Sequence, residues 1–301
     1  MILLDAPTEA EEALILAEFE NMGDPIEYII DRICPDLVQD ESLRDVRIGL
    51  MCTMVNIFDI KRQRDRLHIL LHGQHGTGKT VILDWLNTFH NSCYISCDPT
   101  AASLKGNAGM ADGGVKILSE YDLGVVCIDD IELMKDTDTL RDVMEKGMYT
   151  LTKGGRHEEY LSRCRIVGAC NTLNKLSEPL LSRFDLVYKF DVPTVENAVA
   201  IAERIFMGSP DQYDSEFIEI YFKVVKEFDP QVNITPERIR EIFTSHFNNV
   251  GGGKAGRWIA SVKRIARALA KLRMCDITEA ELQLAIRLKN KSDTVISTCR
   301  Q

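Results

Sequence analysis

The residues best suited to chemistry lie at 73–80, GQHGTGKT. Gly73, Gly76 and Gly78 let the backbone turn tightly enough to aim its N–H groups at a polyphosphate. Gln74, His75 and Thr77 complete the loop, Lys79 reaches β- and γ-phosphates, and Thr80 offers a hydroxyl to Mg²⁺. The pattern GxxxxGK followed by Ser or Thr carries weight only between a strand and a helix. Both are expected here: the apolar run at 67–72 reads as a buried strand, and 81–89 as a helix whose positive end points at the same phosphates. A glycine-rich surface turn would leave both flanks unexplained.

Three further stretches end in chemically capable side chains. LGVVCIDD at 123–130 is a hydrophobic strand closing on two carboxylates, with Asp129 suited to hold Mg²⁺ and Asp130 to polarise an attacking water. RIVGACN at 165–171 ends in Asn171, which either positions that water or forms a turn; its place in strand order favours the former. In LLSRFD at 180–185, Arg183 either packs its stem on the core or is presented to a neighbouring subunit's γ-phosphate, and by itself packing is the commoner case. Arg257 opens a helix expected over 257–273, where the dipole disfavours a cation by ~0.3–1 kcal/mol unless an anion is held there. Arg264, with Lys263, Arg267 and Lys271, reads mostly as a solvated basic stripe. The segment 148–161 alternates about Gly154-Gly155 as a β-hairpin does, and Lys153 and Arg156 flank its tip. Such a tip suits a nucleic-acid phosphate backbone, although a solvated hairpin end is the commoner case.

Positioning these residues takes an α/β fold. Strands at 67–72, 93–96, 123–128, 165–170 and 186–190 alternate with helical segments, which implies a five-stranded parallel sheet sandwiched by helices, with ligands at its carboxyl edge. After Pro193 only helical spacing remains: 194–206, 217–228, a capped start at Thr235-Pro236-Glu237, the helix at 257–273, and a capping box at Thr278 and Glu281. NNVGGGKAG at 248–256 reads as a flexible loop. Upstream, an acidic segment with Leu14, Ile15, Leu16 and Phe19 suggests a short amphipathic helix, and helices are expected over 25–33 and 46–58. The expected organisation is an extension at 1–24, an ATPase core at 25–193, a helical lid at 194–291 and a loose tail at 292–301.

Composition narrows the partners. The chain has 301 residues and a formal charge of −10, which argues against coating nucleic acid over the whole surface and permits a local basic element. Nine cysteines occur without a CxxC spacing, as expected of reduced core thiols and not of disulfides or zinc. No run approaches the ~18 apolar residues of a membrane span. A soluble intracellular protein is expected, cytoplasmic in a prokaryote or nuclear in a eukaryote.

These motifs together resemble the AAA+ ATPase domain of the minichromosome maintenance (MCM) replicative DNA helicases, over about 25–288 and in the same order. CIDDIELM at 127–134 is similar to the family's CIDEFDKM, and LLSRFDL at 180–186 is identical to its arginine-finger motif. TLTKGG at 150–155 is similar to its presensor hairpin, RWIASVKRIARALAKLR at 257–273 to its sensor-2 helix, and ICPDLVQDE at 33–41 to the segment lining the nucleotide base. The resemblance implies a P-loop NTPase using ATP and Mg²⁺, with Lys79, Thr80, Asp129, Asp130 and Asn171 acting in cis and Arg183 and Arg257 donated by neighbours. It implies a homo-oligomeric, hexameric ring with Lys153 in a central channel moving on single-stranded DNA, and Leu37 and Val38 against the base. Asp130 stands where the family has Glu, and a shift of ~1 Å in such a group can cost roughly a hundredfold in rate. Two alternatives to a helicase-type motor therefore stand: a weakly hydrolysing or non-hydrolysing ATP-binding ring subunit, and an AAA+ loader that remodels DNA complexes.

Overall fold

Strands that are apolar without alternation are buried on both faces, and only a sheet covered by helices on each side provides that. The computed structural model describes residues 6–37, 41–56, 65–96, 104, 116–135, 137–153, 156–207, 215–250 and 255–299. Ile69–Gly73 (β1), Ser92–Ile95 (β2), Val125–Ile128 (β3), Arg165–Cys170 (β6) and Leu186–Phe190 (β7) form one parallel sheet in the order β2-β3-β6-β1-β7. Met148–Lys153 (β4) and Arg156–Leu161 (β5) pair separately as an antiparallel ribbon. This is the expected α/β architecture, with β1 inside the sheet and its carboxyl end beside those of β6 and β7.

Successive side chains of each strand enter opposite cores. Ile69, Leu71, Val125, Cys127, Val167 and Ala169 face one core, while Leu70, Val126, Ile128, Ile166 and Val187 face the other. The first core is closed by helices Glu41–Val55 (α3), Lys79–Asn87 (α4), Ser215–Val225 (α9) and Ala255–Leu272 (α11). The second is closed by Ile117–Glu120 (α5), Thr137–Lys146 (α6) and Glu178–Leu181 (α7). Each fully buried Leu or Ile contributes ~1.5–3 kcal/mol. The remaining helices are Glu9–Phe19 (α1), Pro25–Ile29 (α2), Val195–Met207 (α8), Pro236–Val250 (α10) and Glu279–Cys299 (α12).

Four expectations differ from what is observed. The helix expected over 25–33 divides into α2 and a 3-10 turn, Ile30–Arg32. The loose tail from 292 is instead helical to Cys299: Ser292 accepts the Val187 N–H of edge strand β7 at 2.7 Å, and Val295, Ile296 and Cys299 pack on the second core. Leu282, Ala285 and Leu288 of the same helix belong to the first core, so α12 covers the sheet edge and joins both faces. The solvated stripe on α11 is largely paired: Arg264 binds Asp185, Arg267 binds Asp229, and the buried Lys271 donates to the Lys226 carbonyl. Lys263 is exposed. Of the four apolar residues expected to seat α1, Ile15 is fully buried, whereas Leu14 and Leu16 face solvent.

Two buried polar centres hold the sheet to its helices. Asp185 accepts the His68 N–H at 2.9 Å, the Ser261 hydroxyl at 2.6 Å and Arg264 Nε at 3.1 Å, while its carbonyl accepts Lys289 Nζ at 3.0 Å. Burial would raise the Asp185 carboxyl, but Arg264 and these hydrogen bonds outweigh it and hold it below the usual range. His68 accepts the Ile166 N–H at Nδ1 (3.0 Å) and lies 3.3 Å from the Met144 carbonyl at Nε2, the pattern of a neutral ring protonated on Nε2. Burial pushes its pKa down to about 3. The unfolded chain therefore takes up this proton first as pH falls, so the stability His68 contributes is complete above about pH 6.5 and is lost towards pH 3. Urea titration should give an unfolding free energy about 2 kcal/mol lower at pH 5 than at pH 6.5, and His68→Gln should flatten that slope; a pH-independent parent contradicts it.

Candidate functional site

The phosphate loop is set by the crowding of β1 against β7. A Cβ on Gly73 would lie 2.4 Å from the Phe190 carbonyl oxygen and 2.8 Å from its Cβ, so no larger residue fits without moving backbone. Gly78, with φ at 93°, turns the loop into α4, whose first residue is Lys79. A left-handed φ of this kind is readily adopted by glycine.

Lys79 is buried, and its Nζ donates to the carbonyls of Gly73 and Gln74 at 2.7 Å each and to Asn171 Oδ1 at 3.2 Å. Burial lowers its pKa, an effect partly offset by Asp129 and other acids nearby. Asn171, just past β6, donates from Nδ2 to Asp130 Oδ1 at 2.7 Å. Asp129 Oδ1 accepts the Asp130 N–H at 2.9 Å, and its Oδ2 accepts the Tyr94 hydroxyl at 2.8 Å and lies 3.4 Å from Thr80 Oγ1. The fold thus brings Lys79, Thr80, Asp129, Asp130 and Asn171 to one edge. Thr80 and Asp129 present hard oxygen donors side by side, the chemistry Mg²⁺ takes together with substrate phosphates. Among the described residues no group of three or more His, Cys, Asp or Glu could hold a metal without such help.

Leu37 is buried next to the loop, its Cδ1 3.2 Å from where a Gly78 Cβ would stand. Arg47, fully buried in α3, fixes this segment by donating to the carbonyls of Ile33 (3.0 Å) and Leu37 (2.9 Å). Val38 lies outside the described residues.

Arg183 and Arg257 do not join the Lys79 cluster. They line a separate cavity of about 940 Å³ with Ser182, Trp258, Lys289 and Asp293, and none of the described phosphate-loop residues lines it. Exposed Arg257 donates to Ser182 Oγ at 2.5 Å, whereas Arg183 is paired with Glu145 of α6 and donates to the Pro179 carbonyl. Lys153 and Arg156 stand opposite one another at the end of the β4–β5 ribbon; their side chains, and Gly154 and Gly155, lie outside the described structure.

Four side chains of these sites escaped the sequence reading: Tyr94, Glu132, Arg47 and Glu145. Glu132 accepts the Asn171 N–H at 2.7 Å. It lies two residues beyond Asp130, close enough in the chain to be suspected. The other three act from elements with no motif, and only the packed fold reveals them.

Strand, glycine loop and helix, with an acid-ended strand and an Asn-ended strand at the same sheet edge, define a P-loop NTPase of the α/β class. The family model described as the MCM P-loop domain matches residues 12–208, and the chain belongs to the MCM family. It is 26% identical over 317 residues to DNA replication licensing factor mcm7 of Xenopus tropicalis, covering 88% of this chain and 43% of that protein. It is 25% identical to an uncharacterized MCM-type protein of Methanocaldococcus jannaschii over 86% of this chain and 44% of the other. A probable DNA helicase MCM9 of Oryza sativa subsp. indica is 26% identical over the same two shares, 86% and 44%. The chain spans less than half the length of these relatives.

Removing the Lys79 ammonium removes the charge-assisted contact the loop can offer a polyphosphate. Lys79→Ala is expected to weaken binding of a fluorescent ATP analogue at least tenfold, read by anisotropy, with a thermal midpoint close to the parent's. Unchanged affinity would show that the loop is not the nucleotide site.

Proposed function

We propose that the chain is the ATP-dependent motor of a ring that works on DNA, coupling ATP hydrolysis at subunit interfaces to movement along single-stranded DNA and to unwinding. The observation that carries this reading is the division of the candidate machinery. Lys79, Asp129, Asp130 and Asn171 form one cluster, while Arg183 and Arg257 share a second cavity. An arginine pair gathered away from its own phosphate loop is suited to a neighbour's γ-phosphate, which is how an arginine finger supplied in trans stabilises transition-state charge. The names of the relatives, a replication licensing factor and a probable DNA helicase, agree with it.

In this reading 25–193 is the ATPase core and 194–291 a helical lid carrying Arg257, in a homo-oligomeric ring of six. The loop 73–80 cradles the phosphates, with Leu37 and Val38 against the base. Lys79 exchanges its Gly73 and Gln74 carbonyls for phosphate oxygens. Thr80 and Asp129 would hold Mg²⁺, which would supply positive charge to offset that of the bound triphosphate. Asp130 orients the attacking water, and Asn171 fixes Asp130 relative to Lys79. Arg183 must leave Glu145 to reach a neighbour, so ring assembly and finger release are linked. Lys153 and Arg156, at the ribbon tip, meet the DNA backbone by charge and geometry.

A second reading, a slowly hydrolysing ATP-binding ring subunit, rests on Asp130. Its carboxylate is one methylene shorter than the family's Glu, and Asn171 already holds it at 2.7 Å.

ATP turnover per chain is expected to rise with protein concentration and with added single-stranded DNA, and Lys153→Ala to remove most of the DNA stimulation while leaving basal turnover. Turnover that is indifferent to DNA, to concentration and to Lys153 would exclude the motor; from a nearly inactive parent, a large gain on Asp130→Glu would mark a weakened motor site, and unchanged inactivity would favour the second reading.

A further inference from the structure

Glu132 sits in the 3-10 turn Ile131–Leu133 that follows β3. Its Oε1 accepts the Asn171 N–H at 2.7 Å, and its Oε2 is buried with no hydrogen-bond partner among the described residues. A half-satisfied buried carboxylate is destabilising in itself. Its retained contact therefore identifies what the side chain does. The pairing of β6 with β1 ends at Cys170 opposite His72, so Asn171 is the first residue the ladder no longer holds. The turn bearing Glu132 is pressed on β6: a Cβ on Gly168 would stand 3.0 Å from Ile131 Cδ1. Beyond the last ladder pair, the Asn171 main chain is thus fixed by Glu132.

The Asn171 carboxamide has no freedom to spare. Its Oδ1 accepts Lys79 Nζ at 3.2 Å and its Nδ2 donates to Asp130 Oδ1 at 2.7 Å, so one planar group spans cation and acid. Moving the main chain beneath it by a fraction of an ångström lengthens one contact or the other.

We propose that Glu132 is a positioning residue that tethers the Asn171 main chain, holding its carboxamide between Lys79 and Asp130, and thereby sets how strongly the site prefers a nucleoside triphosphate to a diphosphate. The inference rests on the nucleotide-site reading above. It assigns Glu132 no contact with substrate and no proton transfer; the oxygen acceptor it offers the Asn171 N–H is what the site uses.

The test compares ATP and ADP affinities by fluorescent-nucleotide binding, with turnover measured alongside. Glu132→Ala is expected to reduce the preference for ATP over ADP about tenfold, and turnover to a similar degree, with ADP affinity near the parent's. Glu132→Gln keeps an oxygen acceptor for the N–H and should restore most of the preference. In an Asn171→Ala background Glu132→Ala should have no further effect, because two residues acting through one contact are not additive. Should Glu132→Ala fail to fold, Glu132→Asp, which shortens the tether, is expected to show the same loss in milder form. Equal impairment by Gln and Ala, multiplying effects in the Asn171→Ala background, parental behaviour of Glu132→Asp, or a parent without preference for ATP each overturns the tether. A parent that prefers ATP and never hydrolyses it removes the motor reading instead, and the affinity ratio still decides on Glu132.

Discussion

The ammonium of Lys79 is buried at the carboxyl edge of a parallel sheet, where an unpaired charge would cost several kcal/mol. The rest of the site follows from how that charge is met. Two loop carbonyls and the Asn171 amide oxygen take its three protons, and this requires β1 to end at Gly73 and β6 to end one residue short of Asn171. The same carboxamide reaches Asp130, and through Asp129 the chain of contacts continues to Tyr94 on β2. Four of the five strands thus contribute to one polar cluster, so the loop's geometry is a property of the sheet and not of the loop by itself.

The buried Asp185 ties the second cavity to the same sheet. It lies two residues after Arg183 and binds His68 just before β1, Ser261 and Arg264 of α11, and through its carbonyl Lys289 of α12. Arg183 and Arg257 are therefore mounted on elements joined through a single carboxylate. Breaking such a buried pair typically costs ~3–5 kcal/mol, so the two arginines keep a fixed relation to β1 and to the phosphate loop that follows it. Glu145 holds Arg183 within the chain, and any neighbour that uses this arginine competes with that ion pair.

The strands were legible because fully buried parallel strands announce themselves as apolar runs; β6 and β7 begin and end where the residue pattern places them. The phosphate loop, Asp129, Asp130 and Asn171 were legible for the same reason, each being the polar end of such a run. What was not legible depended on distant partners. KSDT at 291–294 is polar enough to look like a frayed end, yet the Ser292 hydroxyl is spent on a β7 amide that would otherwise be an edge donor. The charges of α11 look solvated at helical spacing, and their partners lie from roughly 38 to 79 residues away in the chain. Tyr94 and Arg47 carry no motif at all. Polar residues whose role is to hold another polar residue become visible only once the fold brings the two together.

The central claim is that one working site is assembled from two chains, with Lys79 from one and Arg183 from the next. Lys79→Ala and Arg183→Ala variants should each lack turnover, and mixing them in equal amounts tests the claim directly. Random assembly places an intact Lys79 beside an intact Arg183 at about a quarter of the heterologous interfaces, so the mixture should recover up to about that share of the parental ATPase rate. A mixture as inactive as its components, or an Arg183→Ala protein with full turnover, would contradict the account.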